Sequence, residues 1–154
     1  MKSHCLLLTE ESYTDAYVIG YINSLIRKDY LRKITLVRVM PMAPAAVIDY
    51  PLDHADVLAA DAEIRMKAEN AMNQIAAQIE WGQVEHDVVA LQGNKADALA
   101  RFVDGKSFDT ILILDRERRG LNRLMSEDVV SKLRDMVRIP LTLIPRAELA
   151  ATDR

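Results

Sequence analysis

The chain has 154 residues, half of them hydrophobic, with a formal net charge of −3 and a pI near 5.6. That length and apolar share suit one domain with a full core, and the acidic balance excludes a general nucleic-acid surface while leaving room for a local basic patch. A single cysteine, Cys5, excludes an internal disulfide, no apolar run approaches the ~18 residues of a membrane span, and the N-terminal apolar run is too short for a secretory signal, so a cytoplasmic protein off the membrane is expected.

His4 to Thr9 (HCLLLT) reads as a first buried strand, with Glu10-Glu11-Ser12 as the turn out of it. Ser12 to about Lys28 has helical spacing: Ile19, Ile22 and Ile26 share a face with Ala16, and Arg27-Lys28 suit the negative end of the helix dipole. Ile34 to Met40 (ITLVRVM) is rich in β-branched residues and predicts the second strand. Pro41, Pro44 and Pro51 keep the next dozen or so residues irregular. A long helix follows, capped by Asp53 or Asp56 and running to about Glu80, with Ile64, Ala68, Ala71, Ile75 and Ile79 as its buried stripe and Gly82 as its end. Met66 and Met72 read as core filler on it.

Val84, His86, Val88 and Ala90 alternate with Glu85, Asp87, Val89 and Leu91, which predicts a third strand polar enough for a sheet edge. Gly93-Asn94 turns into a short helix over Ala96 to Val103, closed by Asp104-Gly105. Ile111 to Leu114 is a short apolar run suited to a central strand, and Asp115 to Arg123 is a charged loop. Ser126-Glu127-Asp128 has the form of a helix start, a hydroxyl cap followed by two acids at the positive end of the dipole, and Val129, Val130, Leu133, Met136 and Val137 follow at helical spacing. Pro140 stops that helix, and Leu141 to Ile144 is a fifth strand closed by Pro145. Five strands alternating with four helices predict an α/β fold: a single doubly wound domain whose five-stranded parallel sheet is covered by helices on both faces. The charged loop after the fourth strand lies where such folds bind ligands.

The order of elements, together with LLLTEES, LQGNKADAL and the closing block FDTILIL…RRGLNRLM…VVSKLRDMVRIPLTLIP, resembles the universal stress protein family. The resemblance covers about Lys2 to Arg146. It implies a domain over 1–146 with a frayed tail over 147–154, strand order 3-2-1-4-5, a role in stress response, and homodimers joined through the last strand, Leu141, Thr142, Leu143 and Ile144. That strand is apolar and lies at a sheet edge, a position that invites pairing with another chain; coverage by the polar tail is the other way to protect it.

The departures from the family pattern bear on its ligand. ATP-binding members carry G-x-x-G-x9-G-[S/T] after the fourth strand. Aligned through Gly120-Leu121 and Val129, the three glycines fall on Leu114, Glu117 and Glu127, and the hydroxyl residue falls on Asp128. Side chains then stand where bare backbone would approach phosphate oxygens. Two carboxylates at the helix start would meet a phosphate as like charge, a penalty of ~1 kcal/mol at ~4 Å in water and several at lower effective dielectric. ATP is therefore not expected to bind in the family's usual manner, and no cofactor is expected. The acid on the adenosine side would be Glu10, longer than the family's aspartate.

Glu10 and Asp115 end the strands that flank the topological switch point, and with Val39, Arg116, Arg118, Arg123, Ser126 and Asp128 they make up the candidate ligand crevice. The acids can hold a ribose, a cation or a polar metabolite, or be satisfied by nearby arginines. The cluster Arg116, Arg118, Arg119 and Arg123 can clamp a small anionic ligand or protein partner by forked hydrogen bonds, or pair with Asp115, Glu117, Glu127 and Asp128 as a solvated loop. Asp49, Asp53, His54 and Asp56 crowd one loop, where a helix-start acid cluster is favoured over a metal site because the spacing matches no metal loop. His4 and His86 fall on separate strands, and Cys5 reads as a small core residue. With no nucleophile elbow, Walker loop, dinucleotide fingerprint or CxxC pair, no catalytic residue is assigned. A regulatory binding protein is expected; the alternative is a nucleotide (ATP or AMP) binder or weak ATPase, with magnesium, in an arginine-lined crevice.

Overall fold

A computed structural model describes residues 2–42, 54–114 and 121–144, with the side chains of 54–55 and 121–128 excepted. Nine elements alternate strictly: β1 (Ser3–Thr9), α1 (Asp15–Arg27), β2 (Leu31–Met40), α2 (His54–Ala76), β3 (Glu85–Gln92), α3 (Lys95–Val103), β4 (Thr110–Leu114), α4 (Leu121–Met136) and β5 (Leu141–Ile144). All four strand pairings are parallel, and the sheet order is β3-β2-β1-β4-β5. The expected architecture and strand order are both present.

The strand period of two sorts the apolar side chains onto opposite faces. Cys5 and Leu7 of β1, Ile34 and Leu36 of β2, and Leu112 and Leu114 of β4 join Val18 and Ile22 of α1 and Ala68, Met72 and Ile75 of α2 in one core. Leu6 and Leu8, Val37 and Val39, and Ile111 and Ile113 join Leu99 and Val103 of α3 and Val130 and Leu133 of α4 in the other. The central strands are buried on both sides, which is why they read as unbroken apolar runs. The edge strand β3 begins with three exposed residues, as its polar alternation predicts.

Several element boundaries differ from the sequence reading. Helix α1 starts at Asp15, because Thr14 supplies the cap by accepting from the Tyr17 amide at 3.2 Å. Its buried stripe is Val18, Tyr21 and Ile22; Ala16 is exposed, and Ile19 and Ile26 are half-buried. Turning Tyr21 inward removes more apolar area from water than burying Ala16 would. Helix α2 ends at Ala76, short of Glu80 and Gly82. There the Ala76 carbonyl accepts from the Ile79 amide at 3.2 Å and from the Trp81 indole at 3.0 Å, which tightens the last turn. Met72 is fully buried as expected, whereas Met66 and Met136 face outward on their helices.

The largest correction concerns α4. It begins at Leu121, five residues before Ser126. Ser126 therefore does not cap it. Glu127 and Asp128 lie in its second turn, ~9 Å along the axis from its start at 1.5 Å per residue. The like-charge argument against a phosphate at this helix end is thus overturned; the absence of glycine is not. The proposed cap also matched propensity, but the apolar residues Leu121 and Leu124 let the helical period extend N-terminally through it.

Candidate functional site

The turn after β1, the end of β2 and the start of α3 meet at the carboxyl edge of the sheet. They enclose a cleft of ≈ 240 Å³ lined by Glu10, Glu11 and Ser12, by Arg38 to Pro41, and by Lys95. This is the side of the sheet where parallel α/β folds place ligands. The cleft lies over β1 and β2, one strand away from the β1–β4 switch point. Tyr13 explains part of that offset. Its buried side chain reaches across the switch point and its hydroxyl donates to the Leu114 carbonyl at 2.6 Å. The Leu114 side chain is 1 % exposed and packs into the core with Tyr13, so it does not stand in a phosphate's path as the alignment suggested.

Of the candidate crevice residues, Glu10 and Val39 line the cleft together. Asp115, Arg116 and Arg118, with Glu117 and Arg119, lie outside the described residues. Arg123, Ser126 and Asp128 are on α4, and their side chains lie outside the described ones. Asp49 and Asp53 are likewise outside, and Asp56 is exposed in the first turn of α2.

Glu10 is satisfied by a group the sequence reading passed over. Lys95 Nζ sits 2.6 Å from Glu10 Oε1, with the acid's side chain 11 % exposed, and Ser12 Oγ donates to the other oxygen at 3.5 Å. Lys95 is the first residue of α3, whose cap is Asn94, accepting from the Asp97 amide at 3.2 Å. A lysine at a helix's positive end opposes the dipole, so an acidic partner was the signal to look for. Among the described residues, this lysine is the ion-pair partner of Glu10; the arginines of the charged loop lie outside them.

Arg38 was also missed, although one charge inside ITLVRVM is anomalous for a strand buried on both faces. It is 8 % exposed and lines the cleft. Its Nε donates to Thr9 Oγ1 at 3.4 Å, and Thr9 Oγ1 in turn donates to the Val37 carbonyl at 3.1 Å. Burial lowers its pKa, opposed by the carboxylates of Glu11, Asp15 and Glu10 in that order. None of those carboxylates is within ion-pair distance: among the described residues the ion pairs are Lys2–Asp29, Lys33–Asp87, Lys67–Glu63 and Lys95–Glu10.

The remaining reactive side chains lie elsewhere. Cys5 is buried in the core below β1, and burial first, then Asp109, push its thiol up to about 11. His4 hydrogen-bonds Thr35 at 3.1 Å, and His86 stacks on Trp81. Burial, with Lys33 and Arg32, lowers the pKa of His4. No helix of the described residues is long and apolar enough to cross a membrane.

A model of the universal stress protein family matches residues 4–145. The chain belongs to the universal stress protein family. No curated protein matches it by sequence. Among solved structures, the hypothetical protein MJ0577 is similar, with a TM-score of 0.66, 14 % identity, and coverage of 94 % of this chain and 96 % of that one. The universal stress protein UspA of Lactobacillus plantarum gives a TM-score of 0.59 at 15 % identity, covering 92 % and 97 %. A universal stress protein crystallised with cAMP gives 0.53 at 10 % identity, covering 94 % and 98 %. Identities this low speak to the fold. Within that fold, this universal stress protein pairs Glu10 with Lys95 and carries the buried Arg38 in the same cleft.

Proposed function

We propose that this universal stress protein is a cytoplasmic regulatory binding protein of a stress response, dimeric through β5, which acts by engaging a partner or a small ligand and not by turnover. It does not grip ATP in the family's usual way. The observation that carries the reading is the ion pair between Lys95 and Glu10, which occupies the acid aligned with the family's adenosine-side aspartate. The absence of glycine at positions 114, 117 and 127 supports it, since the residues that stand there lack the backbone freedom that a phosphate-gripping loop uses. Calorimetric titration with ATP and magnesium tests it. The expected result is no micromolar binding; a micromolar, stoichiometric isotherm overturns the reading.

The similarity to a structure holding cAMP favours one second reading, a nucleotide such as ATP or AMP held by charge from Arg116, Arg118 or Arg123 in place of the glycine loop. Absorbance at 260 nm of the purified protein, with mass analysis of whatever it releases, separates the two readings.

A further inference from the structure

Arg38 presents a charge that the described protein leaves incompletely matched. Arg38 is more than nine-tenths buried, and among the described residues its side chain makes one hydrogen bond, the long one from Nε to Thr9, and has no carboxylate within ion-pair distance. Buried guanidinium groups are normally paired, because the five N–H donors lose water and need acceptors. The two terminal nitrogens form a planar fork that matches a carboxylate or phosphate edge to edge. Arg38 lines the cleft between β1, β2 and α3.

The surroundings choose between those anions. Glu11 lines the same cleft, as does Glu10 with its charge paired to Lys95, and Glu11 and Asp15 contribute their fields at Arg38. A multiply charged phosphate would meet these acids as like charge, whereas a single carboxylate is matched by one guanidinium. The cleft is also small, and Val39, Met40 and Pro41 give it an apolar side. We propose that the cleft between β1, β2 and α3 binds a small monocarboxylate, with its anionic end forked on the terminal nitrogens of Arg38 and a short apolar tail against Val39, Met40 and Pro41. This deepens, and rests on, the reading of the protein as a ligand-binding module that does not use ATP.

The test is a 1H–15N titration of the full chain that follows the Arg38 Nε–H resonance and the amides of Met40 and Lys95. Butyrate is the probe, with inorganic phosphate and MgATP as parallel arms. Butyrate is expected to give saturable shifts at all three positions, and Arg38→Gln to weaken binding about tenfold or more, since hydrogen bonds to charged groups carry that much. Arg38→Lys keeps the charge and loses the fork, so it is expected to weaken butyrate binding as well. If Arg38→Gln fails to fold, the wild-type Nε–H response and Arg38→Lys still decide. An unmoved Nε–H resonance, or equal shifts with phosphate, overturns the carboxylate assignment. Saturable MgATP shifts at the cleft overturn the underlying reading instead, so the two failures are distinguishable.

Discussion

Lys95 and Glu10 show how a single side chain can change what a crevice offers. Their contact is partly screened, with the two side chains 30 % and 11 % exposed, so the pair is worth less than its 2.6 Å separation suggests. A double-mutant cycle of Glu10→Gln and Lys95→Met is expected to give a coupling of about 1 kcal/mol in urea unfolding, favouring the pair; additive single effects would show that the contact stabilises nothing. Cys5 makes a second residue-scale case. Its folded pKa is raised from 9.0 to about 11, so the folded state holds a proton that the unfolded state releases. The stability it contributes is complete below pH 9 and is lost as the pH rises from there through 11. Wild type is therefore expected to lose more stability than Cys5→Ala between those limits, measured as the change in urea midpoint for each; parallel pH profiles would refute it. Both residues could be located in the sequence, Cys5 as core and Glu10 as a strand-end acid. The partner of Glu10 could not, because it lies 85 positions away along the chain and only the packing of α3 brings it near.

At the scale of elements, α4 and β5 differ in how well local pattern describes them. The apparent cap at Ser126 is a local signal overridden by a helix that starts at Leu121, because a hydroxyl followed by acids is also tolerated inside a helix when flanking residues sustain the period. Strand β5 is what its composition suggests, a short apolar strand at the sheet edge. It pairs with β4 through Ile111↔Leu141 to Leu114↔Ile144 and closes further through the hydroxyls of Thr110 and Thr142 at 2.7 Å. Among the described residues no strand pairs with its outer side, and the Leu143 side chain is 52 % exposed. If two copies join there, Leu143→Lys is expected to shift the protein from dimer to monomer in sedimentation velocity without unfolding it; an unchanged sedimentation coefficient would place the contact elsewhere or remove it.

For the whole molecule, the sheet divides the core into two parts that must both be filled. Leu6 and Leu7 are each 0 % exposed and point to opposite faces, one toward α3 and α4, the other toward α1 and α2. Leu6→Ala and Leu7→Ala are each expected to cost about 3 kcal/mol in chemical denaturation, from lost burial plus the cavity left behind. A cost below about 1 kcal/mol for either would mean that its face is loosely packed. The alternation of strands and helices, the two-sided burial of the central strands and the polar edge at β3 were determined by the order and period of apolar residues, because those features follow from backbone geometry repeated along the chain. The missing glycines were equally plain, since backbone freedom is a property of the residue itself. Only the tertiary structure decided that Leu114 turns into the core beneath Tyr13, that Lys95 closes on Glu10, and that Arg38 stands buried at the wall of the cleft with its terminal nitrogens unmatched among the described residues. Those outcomes depend on which distant side chains meet across the carboxyl edge of the sheet, and such meetings leave no period in a sequence.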